Sequence, residues 1–251
     1  MHVSRIGLTP LKGTRHADRR YVDLTLEGAV GDRVFCFVDR SRGRVLRTVE
    51  NPTLMSTRAR WHDGVLRTEL PAGVVAEGVP APSGEVVKVD YWGRTVALEV
   101  QQGPWAAAYS GHLGYDVTLA RVTHPGDIVY GGSVSLVSSS SLARLADRLG
   151  VPVDDAQLRA TFTVSTEGEP AHVEDSWAGR RLRLGGAEVE VRGALPRCAV
   201  VDLEPTTGEH RAGALREMAG YRRVRNDILF GVDATVVRPG RVELGATVER
   251  S

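Results

Sequence analysis

An arginine and a cysteine stand side by side at Arg197-Cys198, within the stretch LPRCAVVDLEPTTGE that spans residues 195–209. A cysteine thiolate is both a good nucleophile and a soft metal ligand, and an adjacent guanidinium favours it by lowering the pKa of the thiol. Cys198 also heads a short β-branched run, where a cysteine is otherwise a small buried hydrophobe. The residue types therefore leave thiolate chemistry and simple burial open at Cys198.

The second cysteine, Cys36, lies in the apolar run Val34-Phe35-Cys36-Phe37-Val38. This pattern is typical of a strand, and it predicts a core or interface position for Cys36 rather than chemistry. The two cysteines are far apart in sequence and form no CxxC pair. The cysteines of this chain alone therefore predict neither a structural zinc site nor an iron–sulfur cluster.

Other common catalytic motifs are absent from the sequence. The glycines of Gly28-Ala29-Val30-Gly31 lack GxGxxG spacing, and there is no phosphate-loop GKT or GKS, no HExxH and no Gly-x-Ser-x-Gly elbow. Asp202 and Glu204 would share one face of a strand, either as a carboxylate pair or, as we favour, as a polar edge. The seven scattered histidines do not support histidine-based zinc chemistry.

The sequence pattern predicts that short strands form most of the fold and position the candidate residues. Runs rich in Val, Leu and Thr recur between Gly, Pro and Asp punctuation, at 21–26, 34–38, 64–70, 86–89, 95–100, 116–122 and 133–137. The stretch from Pro71 to Gly84 is expected to be a loop. Helices are predicted at Pro104–Leu113, from a Ser139 or Ser140 cap to Leu149, and from about Ala212 to Tyr221.

This pattern predicts a mainly β fold with a few short helices, of the α+β type, because the helices do not alternate with strands as βαβ units. We favour two β-barrel-like or sandwich regions. A boundary near Gln101-Gln102-Gly103-Pro104 divides the chain into residues 1–100 and 101–251.

Composition narrows the function. The 251 residues include 32 basic and 31 acidic ones, so a nucleic-acid binder that relies on a general basic field is excluded. No segment approaches the ~18 apolar residues of a membrane span, and the N-terminus lacks a signal-like apolar stretch. We expect a soluble cytoplasmic protein that binds a small molecule, without a nucleic-acid or membrane partner.

The order of motifs along the chain resembles the MOSC family, named for the C-terminal domain of molybdenum cofactor sulfurases. The resemblance covers nearly all of the chain and is to the two-part form with an N-terminal β-barrel region, which includes the mitochondrial amidoxime reducing component and its bacterial relatives. The matching pieces are Thr9-Pro10-Leu11-Lys12-Gly13, Gly31-Asp32-Arg33-Val34-Phe35, Leu136-Val137-Ser138 through Leu142, Glu174-Asp175-Ser176-Trp177, Arg197-Cys198 with its Pro-x-Thr-Gly turn, Phe230-Gly231 and Pro239-Gly240.

The resemblance implies a β-barrel MOSC core after an N-terminal β-barrel region, and a molybdenum pyranopterin cofactor held between them. Cys198 would be the thiolate ligand of molybdenum, which agrees with the affinity of soft thiolates for such metals. The cofactor contacts implied are Lys12, Gly13, Arg33, Arg159, Thr161 and Arg197. Gly13 stands where the family has serine, and Arg159-Ala160-Thr161 replaces Arg-Pro-Asn.

The function implied is a molybdenum-dependent oxidoreductase that reduces N-oxygenated substrates such as hydroxylamines, amidoximes or N-oxides. Such a reductase needs an external electron-transfer protein: a ferredoxin, a cytochrome or a flavoprotein reductase. One alternative is a sulfur carrier or transferase that uses a Cys198 persulfide, since sulfur transfer needs an accessible, low-pKa cysteine. Another is a diverged binding module without metal.

Overall fold

The structure, a computed structural model, describes residues 1–129, 131–211 and 213–250, and within them the chain is mainly β. The strands are β1 (His2–Leu8), β2 (Ala17–Asp18), β3 (Tyr21–Thr25), β4 (Gly28–Ala29), β5 (Phe35–Asp39), β6 (Arg44–Val45), β7 (Arg58–His62), β8 (Val65–Glu69), β9 (Val75–Gly78), β10 (Ala81–Tyr91), β11 (Arg94–Gln102), β12 (Thr118–Val122), β13 (Val134–Ser138), β14 (Phe162–Ser165), β15 (Arg181–Leu184), β16 (Ala187–Pro196), β17 (Arg223–Val224), β18 (Asp227–Arg238), β19 (Gly240–Glu243) and β20 (Val248–Arg250). The predicted mainly β class with a few short helices is confirmed.

Three α-helices lie among the described residues: α1 (Trp105–Leu113), α2 (Ser139–Leu149) and α3 (Ala214–Arg222). Ser138 is the N-cap of α2, because its side chain accepts a hydrogen bond from the Ser141 amide. The helix ends at Gly150, which has a left-handed backbone. The cap is therefore one residue earlier than predicted. The predicted start of the third helix, Ala212, lies outside the described residues.

Five strands close into a barrel in the order β10-β11-β12-β5-β6. The barrel strands carry the buried side chains of Cys36, Val38 and Leu98 on one face. Phe35 and Phe37 alternate with them and contact Trp105 and Tyr109 of α1 in a second apolar cluster. A three-stranded sheet, β7-β8-β9, contributes to that second cluster.

The largest sheet runs in the order β2-β1-β14-β13-β18-β16-β15-β20. Strand β1 also meets the segment just before β20, because Val3 donates to the Ala246 carbonyl at 2.9 Å and accepts from the Gly245 amide at 2.8 Å. The resulting curved sheet encloses a core of Val, Leu, Ile and Phe side chains around the fully buried Trp177. A short sheet, β19-β3-β4, pairs beside it.

Strand pairing crosses the predicted boundary at residue 100 in both directions. Strand β12 follows the boundary yet pairs with β5 and β11 of the barrel. Strand β1 precedes the boundary yet pairs with β14 of the large sheet. The division into 1–100 and 101–251 stays a prediction about the sequence, and the barrel and large sheet share chain segments from both halves.

The predicted loop from Pro71 to Gly84 differs from the structure. It contains β9 and the beginning of β10, and Pro82 sits at a register shift of the β10–β11 pair. A proline is tolerated there because the irregular ladder does not need its missing amide hydrogen. In the described part of the chain, no helix is long and apolar enough to cross a membrane.

Candidate active site

Lys12 is placed by a short stretch of pairing between the chain before it and the start of β5. The Lys12 amide donates to the Phe35 carbonyl at 2.8 Å, and the Arg33 amide donates to the Thr9 carbonyl at 2.7 Å. Gly13 adopts a φ of +94° in the turn that follows, a value that favours glycine. The two motifs that contain Lys12 and Arg33 are therefore held side by side.

Arg33 is held by the aspartate that precedes it. Its guanidinium donates to the carboxylate of Asp32, whose other oxygen accepts from the Thr9 amide at 2.9 Å. The Arg33 side chain is 15% exposed, so most of it is removed from solvent. Asp32 thus fixes the direction of Arg33 and neutralises one positive charge of the site.

Arg159 lies near Arg33 and belongs to the segment that precedes β14 of the large sheet. It follows the 3₁₀ helix Asp155–Leu158 with a left-handed backbone, at φ 51° and ψ 30°. Its Nη2 donates to the Thr14 carbonyl at 2.9 Å, while its Nη1 is buried without a hydrogen-bond partner among the described residues. Arg159 therefore brings a buried donor that lacks an acceptor.

Arg197 and Cys198 follow directly on the end of β16. Arg197 uses its Nε to donate to the Phe230 carbonyl at 2.7 Å and its Nη1 to donate to the Leu158 carbonyl at 2.8 Å. Cys198 is exposed and precedes the 3₁₀ helix Ala199–Asp202. The structure thus excludes burial of Cys198 in a strand, one of the two alternatives from the sequence. Arg197 fixes the backbone next to an accessible thiol through its two hydrogen bonds.

A single cleft brings together all of the predicted site residues. Its empty space, which is open to solvent, is about 850 Å³. The lining includes Lys12, Gly13, Arg33, Thr48, Tyr91, Ser133, Ser135, Leu158, Arg159, Thr161, Leu195, Arg197, Cys198 and Val200. The cleft lies where segments next to the barrel meet the large sheet.

The electrostatics of the cleft favour an anion. Burial, followed by the charges of Arg33 and Arg159, lowers the pKa of Lys12 to about 7. Burial likewise lowers the pKa of Arg159 to about 9, with Arg33 adding to the effect. These cations repel one another in a poorly hydrated place, and a bound anion would relieve that repulsion.

Two family descriptions match the sequence without overlap, one on each side of residues 103–128. The MOSC domain matches residues 129–249, and the MOSC N-terminal beta barrel domain matches residues 1–102. The chain belongs to the MOSC family. The resemblance predicted from the motif order is thereby confirmed, including the two-part form.

Curated relatives of this MOSC chain include two proteins named molybdenum cofactor sulfurase. The one from Aspergillus terreus is 26% identical over 57% of this chain, and the one from Caenorhabditis briggsae is 28% identical over 45%. The aligned parts cover only 19% and 15% of those relatives. The YuaD protein of Bacillus subtilis is similar in structure, with a TM-score of 0.48 and 15% identity over 99% of this chain and 93% of its own.

Tyr91 is a residue of the MOSC cleft that sequence reasoning missed. Its hydroxyl oxygen accepts from Lys12 Nζ at 3.0 Å, and Lys12 Nζ also donates to the Ile128 carbonyl at 3.1 Å. Burial raises the pKa of Tyr91 to about 12, so the phenol stays protonated at neutral pH. Tyr91 ends a barrel strand before a Trp-Gly turn, and nothing local in that pattern indicates a site.

Gly13 and Thr161 stand where the family has serine and asparagine, and the structure accommodates these two differences in different ways. A Cβ added at Gly13 would lie 2.7 Å from the Leu54 Cδ1, so the glycine leaves room for that leucine. Thr161 Oγ1 accepts from the Ser135 amide at 3.1 Å, which leaves the hydroxyl proton of Thr161 available. Ala160 is fully buried in the apolar cluster beneath the cleft. Of the neighbours Ala160 and Thr161, it is therefore Thr161 that lines the cleft, together with Gly13.

The loop after Cys198 is pinned at its far end. Glu204 accepts hydrogen bonds from the Thr206 and Thr207 amides, both at 2.7 Å. Asp202 accepts from the Leu215 amide at 2.9 Å. The two carboxylates thus have separate structural partners. In place of the expected strand, Asp202 ends the 3₁₀ helix Ala199–Asp202 and Glu204 follows it.

The Glu-Asp-x-Trp motif forms a buried network behind Arg197. Glu174 is fully buried and accepts hydrogen bonds from the hydroxyls of Ser138 and Ser141, the latter at 2.8 Å. Burial lowers the pKa of Arg197 to about 10. The charges of Cys198 and then Glu174 oppose this effect and raise it. The motif therefore joins the start of α2 to the base of the cleft.

Cys36 is fully buried in the barrel, as predicted. Burial raises the pKa of its thiol to about 12, against a smaller opposing effect of Lys12. A thiol in that state is not a nucleophile at neutral pH. Cys198 is thus the cysteine that the structure makes available for chemistry.

Proposed function

We propose that this chain binds a molybdenum pyranopterin cofactor in the cleft, with Cys198 as its thiolate ligand, and reduces the N–O bond of N-oxygenated small molecules. The observation that carries the proposal is the meeting of an exposed thiol with Lys12, Arg33 and Arg159 in one cleft. Molybdenum favours sulfur ligands, and the phosphate of the cofactor requires cations and N–H donors.

The residues present fit the cofactor on two counts. Arg159 Nη1 is a buried donor without an acceptor among the described residues, as a phosphate site requires. The excess positive charge around Lys12 and Arg159 is balanced only in part by Asp32, which is already bound to Arg33. A phosphate would neutralise the remainder.

The cofactor, when bound, supplies the two-electron reduction. The overall change is R₂N–OH + 2e⁻ + 2H⁺ → R₂NH + H₂O, so two protons and an external electron donor are needed. The donor would be a ferredoxin, a cytochrome or a flavoprotein reductase, because this chain's own side chains supply no electrons for repeated turnover.

Within the protein, Lys12 and Tyr91 are placed to handle a proton. Lys12 donates to Tyr91 Oη, so the hydroxyl proton of Tyr91 is free to be donated into the cleft. Lys12, with its pKa near 7, can then return a proton to that oxygen. Leu195 and Val200 add apolar side chains to the lining of the cleft.

Sulfur transfer is the second candidate. The exposure of Cys198 is the feature it requires, and the relatives named molybdenum cofactor sulfurase share sequence with this chain. In this case Cys198 would carry a persulfide and pass its outer sulfur to an acceptor. The cationic cleft would bind that acceptor or the cofactor without a permanent metal.

The deciding experiment compares the wild-type protein with Cys198→Ser and with Cys36→Ala as a matched control, all purified from a host that makes molybdenum cofactor. Elemental analysis and pterin fluorescence are expected to show near-stoichiometric cofactor in wild type and Cys36→Ala, and loss of the metal in Cys198→Ser. Reduction of a hydroxylamine with an artificial electron donor should follow the metal content.

The opposite results are equally clear. A wild-type protein that lacks molybdenum but carries a persulfide on Cys198, detected by mass spectrometry, replaces the reductase with sulfur transfer. A protein with neither metal nor persulfide excludes both and leaves the metal-free binding module.

A further inference from the structure

A second cationic groove lies outside the cleft. It is lined by Arg15, His16, Ala17, Asp18, Arg19, Arg58, Ala59, Arg60, Asp154, Ala156, Pro205 and Thr206, and its empty space, open to solvent, is about 1070 Å³. None of these residues is among those that line the cleft with Cys198. The groove is therefore a separate candidate site with its own chemistry.

Four arginines face this groove without an ion-pair partner among the described residues: Arg15, Arg19, Arg58 and Arg60. Arg58 and Arg60 lie on the same face of β7, with the buried Ala59 between them. Two residues along a strand are about 7 Å apart, so these two side chains start side by side. They present two positive groups along one line.

The other two arginines, Arg15 and Arg19, lie on either side of β2. Burial lowers the pKa of Arg15, and the charge of Arg58 lowers it further. Burial and then the charge of Arg60 do the same to Arg19. Arg15 thus lies within electrostatic reach of Arg58, and Arg19 of Arg60, and a bound anion would relieve the repulsion between these like charges.

His16 adds an N–H donor that has no acceptor. It is 4% exposed, and its Nδ1 lies 3.4 Å from Arg5 Nη2. A guanidinium only donates, so Nδ1 accepts and the ring proton sits on Nε2. That Nε2 is buried without a partner among the described residues, as is the Nε of Arg15.

The carboxylates near the groove already accept hydrogen bonds from other groups. Asp18 accepts from Arg5 Nε at 2.7 Å, and Asp154 accepts from the Ala156 amide at 2.8 Å. Glu204, which raises the pKa of Arg15, is bound by Thr206 and Thr207. The groove is left with positive charge and N–H donors in excess.

We infer that this groove is an anion-binding site for a diphosphate group, held by the guanidinium groups of Arg15, Arg19, Arg58 and Arg60. Guanidinium groups bind phosphate oxygens in bidentate fashion, which suits two adjacent phosphates better than one. The same chemistry is found in free pyrophosphate and in the diphosphate of a nucleotide.

Isothermal titration calorimetry on the full chain at low ionic strength tests the site, with pyrophosphate, ADP and orthophosphate as probes. Pyrophosphate should bind more tightly than orthophosphate. Arg58→Ala and Arg60→Ala should each weaken pyrophosphate binding by about tenfold or more, and Arg58→Lys should weaken it less. Both positions are exposed on β7, so the variants should fold.

Two controls separate this groove from the cleft and from nonspecific attraction. Arg216→Ala removes an exposed arginine of α3 that does not line the groove, and should leave binding unchanged. Lys12→Met weakens anion binding in the cleft and should leave intact the pyrophosphate binding that Arg58→Ala and Arg60→Ala weaken. If Lys12→Met abolishes pyrophosphate binding while Arg58→Ala does not, the anion binds in the cleft and the inference is wrong.

The two sources of a diphosphate are distinguished by the same titrations. Tighter binding of ADP than of pyrophosphate assigns the groove to nucleotides, whereas the reverse assigns it to free pyrophosphate. If neither binds at millimolar concentration, the groove is not a diphosphate site.

Discussion

The ammonium group of Lys12 lies 3.0 Å from the hydroxyl oxygen of Tyr91, across the junction between the N-terminal turn and the barrel. The hydrogen bond runs from nitrogen to oxygen, and the Lys12 ammonium also lies 4.8 Å from the centre of the Tyr91 ring. Because the pKa of Lys12 is lowered to about 7, this pair changes its charge near neutral pH. Its titration gives the cleft a measurable signature.

Lys12 should make the stability of the free protein depend on pH in the alkaline range. The unfolded chain has a lysine pKa of 10.5 and the folded one about 7, so the unfolded chain binds more protons between these values. The free energy of unfolding therefore gains a contribution that rises with pH through this window. Urea unfolding at a series of pH values should show that rise in wild type, and a flatter profile in Lys12→Met.

The control for this prediction is Lys88→Met, because Lys88 is exposed on β10 and lines neither the cleft nor the cationic groove. Its pH profile should match that of the wild-type protein. A Lys12→Met protein whose profile also matches wild type would show that Lys12 is ordinary in its titration and that the cleft does not repel cations.

The sequence predicted the site better than it predicted the loops around it. The order of motifs indicated Lys12, Arg33, Arg159 and Cys198, and the fold places all four on one cleft. Their roles toward a cofactor stay predictions. In the first of these motifs, Gly13 fixes the backbone directly after Lys12 with a φ of +94°.

Tyr91 could not be found in this way because its role depends on distance in space. Residues Lys12 and Tyr91 are 79 positions apart, and only the barrel closure brings them together. The β-branched run after Cys198 was similarly misleading: strand propensity is weak, and the hydrogen bonds of Asp202 and Glu204 favour a tight turn there.

The two cysteines should differ sharply in reactivity. Cys198 is exposed, whereas Cys36 is fully buried with its thiol pKa raised to about 12. Iodoacetamide at neutral pH should therefore modify Cys198 in the native protein and Cys36 only after unfolding. Peptide mass spectrometry measures both sites in one sample. Native modification of Cys36 at the rate of Cys198 would contradict the barrel core described above.

Glu174 should contribute strongly to stability through its two serine partners. Glu174→Ala removes a fully buried acceptor and leaves the hydroxyls of Ser138 and Ser141 without it, at a cost of about 3 kcal/mol in the free energy of unfolding. The neighbouring Asp175→Asn breaks only a partly exposed ion pair with Arg222 and should cost less than about 1 kcal/mol. Urea unfolding of both variants tests the difference, and equal losses would show that the network is not specific to Glu174.

Gly208 should be needed to seat the loop that carries Cys198. It has a φ of +79°, and a Cβ added there would lie 1.9 Å from the Pro52 carbonyl oxygen, which is backbone and cannot rotate away. Gly208→Ala should therefore lower the free energy of unfolding by about 2–4 kcal/mol. Gly168→Ala is the matched control, because its φ is +80° with no atom within 4 Å, and it should cost only about 1 kcal/mol.

Since the loop runs back from Gly208 to Cys198, Gly208→Ala should also change the rate at which iodoacetamide modifies Cys198, whereas Gly168→Ala should not. Equal unfolding energies for the two variants would mean that the loop yields without strain and that its contact with Pro52 does not position the thiol.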